Sequence, residues 1–239
     1  LMVRSQWEPF AEAVKGLGSP VRRLVLTHAH VDHVGGSRAF PLAAVYSSEA
    51  TSALLDQPLM TEAYKALMPD FADELDELAE IGTRKVTHEV QSPARLTERI
   101  EAIPANGHTA GDLLVLVEDA DVLFAGDLCF FGVTPMAFQG DPATWADVLE
   151  AIGDLAAVVV PGHGPVGGAG EVADLQAYLR ACVQTAASGG TALPPGPWDA
   201  WSERRRDPVN LERVTMLAAG ADWTAIPPSM LRALGMSPG

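Results

Sequence analysis

The chain has little cysteine, and this scarcity excludes a disulfide-rich secreted scaffold. Its 239 residues include two cysteines, Cys129 and Cys182, so we expect free thiols in a reducing compartment. Positive charge is also scarce, because 16 Lys and Arg oppose 31 Asp and Glu and leave a net charge of −15. This excess of negative charge disfavours a nucleic-acid partner and an anionic membrane surface.

Long apolar runs are absent as well. No stretch of about 18 apolar residues occurs, so no transmembrane helix is predicted. The first residues, Leu1-Met2-Val3-Arg4, are unlike a signal peptide, since acidic and aromatic residues follow at once. We therefore expect a cytoplasmic protein, with the reservation that a natural start, and any removed signal, would lie upstream of Leu1.

The periodicity of apolar residues predicts a mixed α/β chain. Helices are predicted at residues 5–18, 58–82, 141–155, 171–187, 208–219 and 227–234, and a further helix runs from the N-cap Ser48 towards Leu55. The first helix has Trp7, Phe10, Val14 and Leu17 at helical spacing, and Asp141-Pro142 opens the helix of residues 141–155. Strands are predicted at residues 21–27, 43–47, 86–90, 99–103, 112–118, 121–125 and 156–160. Residues 188–198 are rich in Gly and Pro and are typical of a linker. The predicted division is a catalytic domain of residues 1–187 and a helical C-terminal extension of residues 188–239.

Three of the six histidines fall within one short segment, the H-x-H-x-D-H motif of residues 28–33. A chance occurrence has a probability on the order of one in several thousand for such a composition. His28 and His30 leave an extended segment on the same side and suit one metal ion. Asp32 and His33 follow where the chain begins to turn, so they can face a neighbouring point. Imidazole nitrogen and carboxylate oxygen are ligands that Zn²⁺ prefers.

Three further turns next to predicted strands carry residues of the same types. They are Gly107-His108-Thr109, Gly126-Asp127 and Gly162-His163-Gly164. Each of these short patterns is common by itself, and their order after the H-x-H-x-D-H motif gives them weight.

With these residues the chain resembles the metallo-β-lactamase-fold hydrolase superfamily. The resemblance covers His28 to His163 and is expected to extend over residues 21–187. The resemblance implies an α/β (α+β) fold, a four-layer αβ/βα sandwich whose first strands are missing before residue 1. It also implies two metal ions, each held by three residues, with Asp127 bridging both. The first set is His28, His30 and His108, and the second set is Asp32, His33 and His163.

Two divalent ions, expected to be Zn²⁺ with Fe or Mn as alternatives, would share a bridging water and lower its pKa towards neutrality, which gives a bridging hydroxide. The hydroxide would attack a small-molecule ester, thioester, lactone or lactam. Asp127 would set the metal spacing and Asp32 would orient the water, so both are predicted to be catalytic. Thr27, Thr109 and Asp112 are candidates to hold the histidine tautomers.

Other activities of similar proteins stay as alternatives. A mononuclear iron dioxygenase acting on a persulfide uses fewer ligands than the seven found here, and a nuclease would need a basic surface. Glyoxalase II typically repeats a histidine or serine where this chain has Ala110-Gly111-Asp112 after its Gly-His-Thr motif. A small-molecule substrate is expected, with no nucleic-acid or membrane partner.

The remaining predictions concern residues around the ligands. Four apolar residues after the bridging aspartate either line a substrate pocket or belong to the core: Phe130, Phe131, Met136 and Phe138. Cys129 is expected to be a packing residue, and His88 is expected not to be a ligand. The acidic helix near residues 70–80 is either a solvated face or a lid. The C-terminal extension either closes the substrate cleft or packs against another subunit in a homo-oligomer.

Overall fold

The computed structural model describes residues 1–235, which form two sheets, each with its own helices. The chain divides into two compact units, Leu1–Gln91 and the part from Ser92 onward. The predicted α/β class is therefore confirmed. No helix in the described part of the chain has both the length and the apolar character needed to cross a bilayer.

The first unit contains a short parallel sheet in the order β1-β2-β3. Its strands are β1 (Arg23–Val25), β2 (Ala44–Ser47) and β3 (His88–Glu89). Its helices are α1 (Arg4–Gly16), α2 (Val31–Val34), α3 (Glu49–Leu55), α4 (Thr61–Leu67) and α5 (Ala72–Ile81). Helix α3 begins after Ser48, whose hydroxyl accepts the Thr51 backbone N–H at 3.1 Å, the N-cap that the sequence predicts.

Apolar packing fixes the one-turn helix α2. Val34 lies in a cluster with Leu26, which follows β1, and with Val45 of β2, whereas Val31 lies in a second cluster with Leu75 and Leu78 of α5. A four-residue helix has little stability alone, so these two clusters supply it. The residues between the two valines, Asp32 and His33, are consequently held in a fixed backbone.

One prediction for the first unit needs correction. The predicted helix of residues 58–82 is two helices, because a 3₁₀ turn at Pro69–Phe71 separates α4 from α5 and proline lacks the N–H that a continuous helix requires. The predicted helix of residues 5–18 is confirmed as α1, and two of its helically spaced apolar residues lie exposed on the surface. Phe10 and Leu17 are 49% and 79% exposed.

The second unit contains a five-stranded sheet in the order β4-β5-β6-β7-β8. Its strands are β4 (Ala94–Thr97), β5 (Ile100–Ala105), β6 (Asp112–Val117), β7 (Val122–Phe130) and β8 (Val158–His163). The pairs are antiparallel except β7 and β8, which are parallel and joined through helix α6 (Pro142–Ile152). The remaining helices are α7 (Ala169–Ala187), α8 (Asp207–Ala218) and α9 (Pro228–Ala233).

Strand β7 extends five residues beyond the predicted end at Ala125. Its pairing with β8 shifts register at Gly126, which has φ +53° and so occupies a left-handed conformation that favours glycine. The irregular strand therefore carries Asp127 inside the sheet. The sequence does not predict β4, whose alternating polar residues Arg95 and Thr97 follow a proline.

The described part of the C-terminal extension belongs to the second unit and packs against its helices and sheet. Trp198 and Leu211 belong to the same core cluster as Trp145 and Tyr178. The buried side chain of Arg213 donates hydrogen bonds to the backbone carbonyls of Gly140, Trp223 and Ala225. The division at residue 187 stays a prediction, and the last four residues of the extension lie outside the described part.

Candidate metal centre

The H-x-H-x-D-H segment of the first unit runs from the loop after β1 into helix α2 and gathers its histidines closely. His28 is fully buried, and its Nε2 is 3.0 Å from Nδ1 of His30. The rings of His28 and His33 have centroids 4.3 Å apart. The structure therefore brings together the four ligands predicted in this segment, with Asp32 Oδ2 at 3.4 Å from His33 Nε2.

Thr27 and Tyr64 contact this ligand group. The Thr27 hydroxyl lies 3.1 Å from Nδ1 of His28, and Nε2 of the same ring faces His30. The Tyr64 hydroxyl donates a 2.7 Å hydrogen bond to Oδ1 of Asp32. The sequence does not predict this role for Tyr64, because it lies 32 residues from Asp32 on helix α4 and no motif surrounds it.

The second unit gathers the other three predicted ligands around one carboxylate oxygen. Oδ2 of Asp127 lies 3.4 Å from Nε2 of His108 and 3.4 Å from Nε2 of His163. Asp127 and His108 are buried, and the His163 side chain is 40% exposed. His108 comes from the β5–β6 loop, Asp127 from β7 and His163 from the end of β8.

The three His–Asp separations of 3.4 Å, two of them at Asp127, fit a metal site. They exceed the roughly 2.7–3.2 Å of a good N–H···O hydrogen bond. Ligand atoms about 2.0–2.1 Å from a tetrahedral zinc ion lie roughly 3.4 Å from one another. The donor set of imidazole nitrogens and carboxylate oxygens also suits a borderline divalent ion.

Glycine at position 162 makes room for the Asp127 carboxylate. A Cβ atom built on Gly162 would lie 1.9 Å from Oδ1 of Asp127 and 2.9 Å from the carbonyl carbon of Gly126. The carboxylate therefore packs directly on the β8 backbone. This close approach explains the glycine of the Gly162-His163-Gly164 motif.

Asp112 organises the loop that presents His108. Its carboxylate accepts the backbone N–H groups of His108 and Thr109, at 3.1 and 3.0 Å, and the Thr109 hydroxyl at 2.7 Å. Burial raises the pKa of Asp112 to about 7, hydrogen bonds from Thr109 oppose that rise, and the negative charge of Asp127 adds to it. The bonds of Asp112 and Thr109 thus fix the loop backbone rather than a histidine ring.

The four candidate pocket residues lie in packed surroundings. Phe130 and Phe131 are each 1% exposed within the core of the second unit, and the ring of Phe130 stacks on His163 at 5.0 Å. Phe138 packs with Val209 and Met230, and Met136 lies against the same cluster. These positions match the core alternative, and a role in a substrate pocket stays a prediction.

The structure also places the predicted packing residue Cys129 and the predicted non-ligand His88. Cys129 is fully buried, and burial raises the pKa of its thiol well above the usual range, so it has no thiolate character. His88 is exposed, lies 2.8 Å from the Thr87 hydroxyl and stacks on Tyr46 with centroids 4.6 Å apart.

Comparisons with known proteins agree with this fold. Residues 3–163 match the family model described as the metallo-beta-lactamase superfamily. A hydroxyacylglutathione hydrolase of Synechococcus sp. (strain JA-2-3B'a(2-13)) is 27% identical over 223 residues, covering 84% of this chain and 74% of that protein. The uncharacterized protein YobT of Bacillus subtilis (strain 168) is 33% identical over 128 residues, covering 48% of this chain and 49% of its own length.

Solved structures show the same fold. A metallo-beta-lactamase from Hirschia baltica superposes with a TM-score of 0.53 at 22% identity, covering 72% of this chain and 74% of that one. Fold and ligand types together define a metal-dependent hydrolase. The chain belongs to the metallo-β-lactamase superfamily.

Proposed function

We propose that the protein is a dinuclear zinc hydrolase of a small-molecule thioester, ester, lactone or lactam. The observation that carries the proposal is the position of Asp127 Oδ2, at 3.4 Å from the ring nitrogens of both His108 and His163. The family motif assigns these histidines to different metal ions. One oxygen equidistant from both is the arrangement that a bridging carboxylate requires.

The ligand assignment extends this proposal to the whole motif. His28, His30 and His108 would hold one ion, and Asp32, His33 and His163 would hold the other. The near-tetrahedral spacing of 3.4 Å within both ligand groups supports zinc, and the seven ligands support two ions over one.

The chain's own residues would prepare the reaction in distinct ways. Bound divalent cations supply a Lewis acid for the scissile carbonyl and activate water near neutral pH. Asp127 would set the distance between the two metal ions. Because Asp127 is buried, water is kept from competing for its carboxylate. Asp32 would orient the attacking water, and Asp112 would keep the His108 loop in place through its hydrogen bonds.

A thioester is the substrate class to test first, because the Synechococcus relative is a hydroxyacylglutathione hydrolase by name. This chain has Asp112 three residues after Thr109, bonded to the loop backbone. The loop therefore differs from the histidine or serine pattern of glyoxalase II. We propose a thioester whose thiol part is not restricted to glutathione.

Metal content tests the proposal most directly. The protein would be purified without added metal or chelator and examined by elemental analysis, then assayed with thioesters, esters, lactones and β-lactams before and after chelation. We expect about two zinc ions per chain and hydrolysis that chelation abolishes and zinc restores. About one iron per chain with little zinc would overturn the proposal and favour the persulfide dioxygenase alternative, which oxygen uptake would then test.

A further inference from the structure

We infer that Tyr64 is a positioning residue that fixes which oxygen of Asp32 faces a metal ion. The inference rests on the proposed function, since it requires Asp32 to be a ligand. Its basis is the 2.7 Å hydrogen bond from the Tyr64 hydroxyl to Oδ1 of Asp32, while Oδ2 faces His33 Nε2 at 3.4 Å. The two oxygens of one carboxylate thus have different partners.

The local backbone alone does not account for this orientation. Asp32 and His33 are consecutive residues of the one-turn helix α2, and neighbouring helical residues point about 100° apart. Their polar atoms nevertheless approach to 3.4 Å. A carboxylate on such a short helix can rotate, so a second contact is needed to keep Oδ2 toward His33. The Tyr64 hydroxyl provides that contact from another helix.

Tyr64 is itself held firmly. Its ring packs against the cluster formed by Met2, Val3, Val31, Leu75 and Leu78. This cluster includes Val31, the residue directly before Asp32, so the tyrosine and the aspartate share one packed support. A phenol has two side-chain torsions, and packing of the ring leaves its hydroxyl little freedom. Tyr64 is therefore a rigid donor aimed at Asp32.

The hydroxyl is expected to matter for metal affinity more than for folding. A ligand carboxylate oriented by an outer hydrogen bond loses about 10- to 100-fold in metal affinity when that bond is removed. Tyr64→Phe removes one oxygen atom and keeps the ring that packs in the cluster. The metal-free variant should therefore unfold at nearly the same temperature as the unaltered protein.

The test compares the unaltered protein, Tyr64→Phe, Asp32→Ala and Tyr46→Phe. Zn²⁺ affinity of each metal-free protein would be measured by competition with a chromophoric chelator, and Co²⁺ would be added to record visible absorption bands. Tyr46→Phe is the matched control, because Tyr46 lies in the same unit and stacks on the exposed His88. We expect Tyr64→Phe to bind the weaker Zn²⁺ equivalent about 10- to 100-fold less tightly and to shift the Co²⁺ bands, with Tyr46→Phe unchanged.

The outcomes separate the inference from the proposed function. If the unaltered protein binds fewer than two Zn²⁺ ions, or if Asp32→Ala binds as many as the unaltered protein, the proposed function fails. If Asp32→Ala loses one ion but Tyr64→Phe keeps both the affinity and the Co²⁺ spectrum, the inference about Tyr64 alone is wrong. Equal weakening in Tyr46→Phe and Tyr64→Phe would also overturn it, because a general effect of losing a tyrosine hydroxyl would then suffice.

Discussion

The two ligand groups are built by opposite means. The first group comes from six consecutive residues, 28–33, and depends on side-chain partners, Thr27 and Tyr64. The second group comes from the β5–β6 loop, the interior of β7 and the end of β8, spread over residues 108–163, and glycine allows its backbone and side chains to approach closely. A local ligand group therefore needs contacts that orient its side chains. A dispersed group needs space at the backbone.

The largest effect should follow from removing the shared carboxylate. We expect Asp127→Ala to bind fewer metal ions per chain and to lower the hydrolytic rate by at least about 100-fold. The loss of a ligand should reduce the rate more than the loss of a ligand's hydrogen-bond partner, which costs about 10- to 100-fold. Elemental analysis and steady-state assays would measure both. His88→Ala is the control, since His88 is exposed and packs on Tyr46. Full activity in Asp127→Ala would refute the two-metal proposal.

The contrast between the groups also explains what the sequence could predict. The H-x-H-x-D-H motif is local, so its spacing alone indicated that His28 and His30 share a side, and the structure places their nitrogens 3.0 Å apart. The Asp127 group was predicted through the family resemblance, because no periodicity connects residues 108, 127 and 163. The helices were predicted well where their ends have local signals, as at Ser48 and Asp141.

What the sequence did not predict depends on tertiary packing. Tyr64 has no local signal, since its partner lies 32 residues away. The sequence predicts that β7 ends at Ala125, because the following Gly126 resembles a strand terminator. Pairing with β8 instead carries the strand on to Phe130. The exposure of Phe10 and Leu17 on the confirmed helix α1 likewise has no local signal, because helical spacing of apolar residues predicts a helix but not what covers it.

A smaller but still large effect should follow from adding one methyl group to the dispersed group. In Gly162→Ala the new Cβ would lie 1.9 Å from Oδ1 of Asp127, so the carboxylate must move. We expect Zn²⁺ affinity to fall by about 10- to 100-fold, as for loss of an orienting contact. Chelator competition would measure it. Gly170→Ala on helix α7 is the matched control, because nothing lies within 4 Å of its added Cβ.

Unchanged affinity in a folded Gly162→Ala protein would mean that the Asp127 carboxylate is not held where it binds metal. Loss of affinity in Gly170→Ala as well would show a general effect of alanine in this unit. Either result would contradict the contrast between the two ligand groups, in which glycine makes room for the Asp127 carboxylate and side-chain contacts orient the ligands of residues 28–33.

The smallest effect should come from the local group, where Thr27→Val removes one hydroxyl without changing side-chain size. Its Oγ1 lies 3.1 Å from His28 Nδ1, so the ring would lose a contact that fixes its tautomer, and Zn²⁺ affinity should fall by about tenfold. Thr87→Val is a close control, because the Thr87 hydroxyl lies 2.8 Å from Nδ1 of the following His88 and also bonds the Val45 backbone. That control should lower the unfolding temperature while leaving Zn²⁺ affinity intact. The opposite result would be a loss of Zn²⁺ affinity in Thr87→Val alone. It would show that a threonine–histidine contact affects metal binding through the stability of the protein and not by orienting a ligand ring.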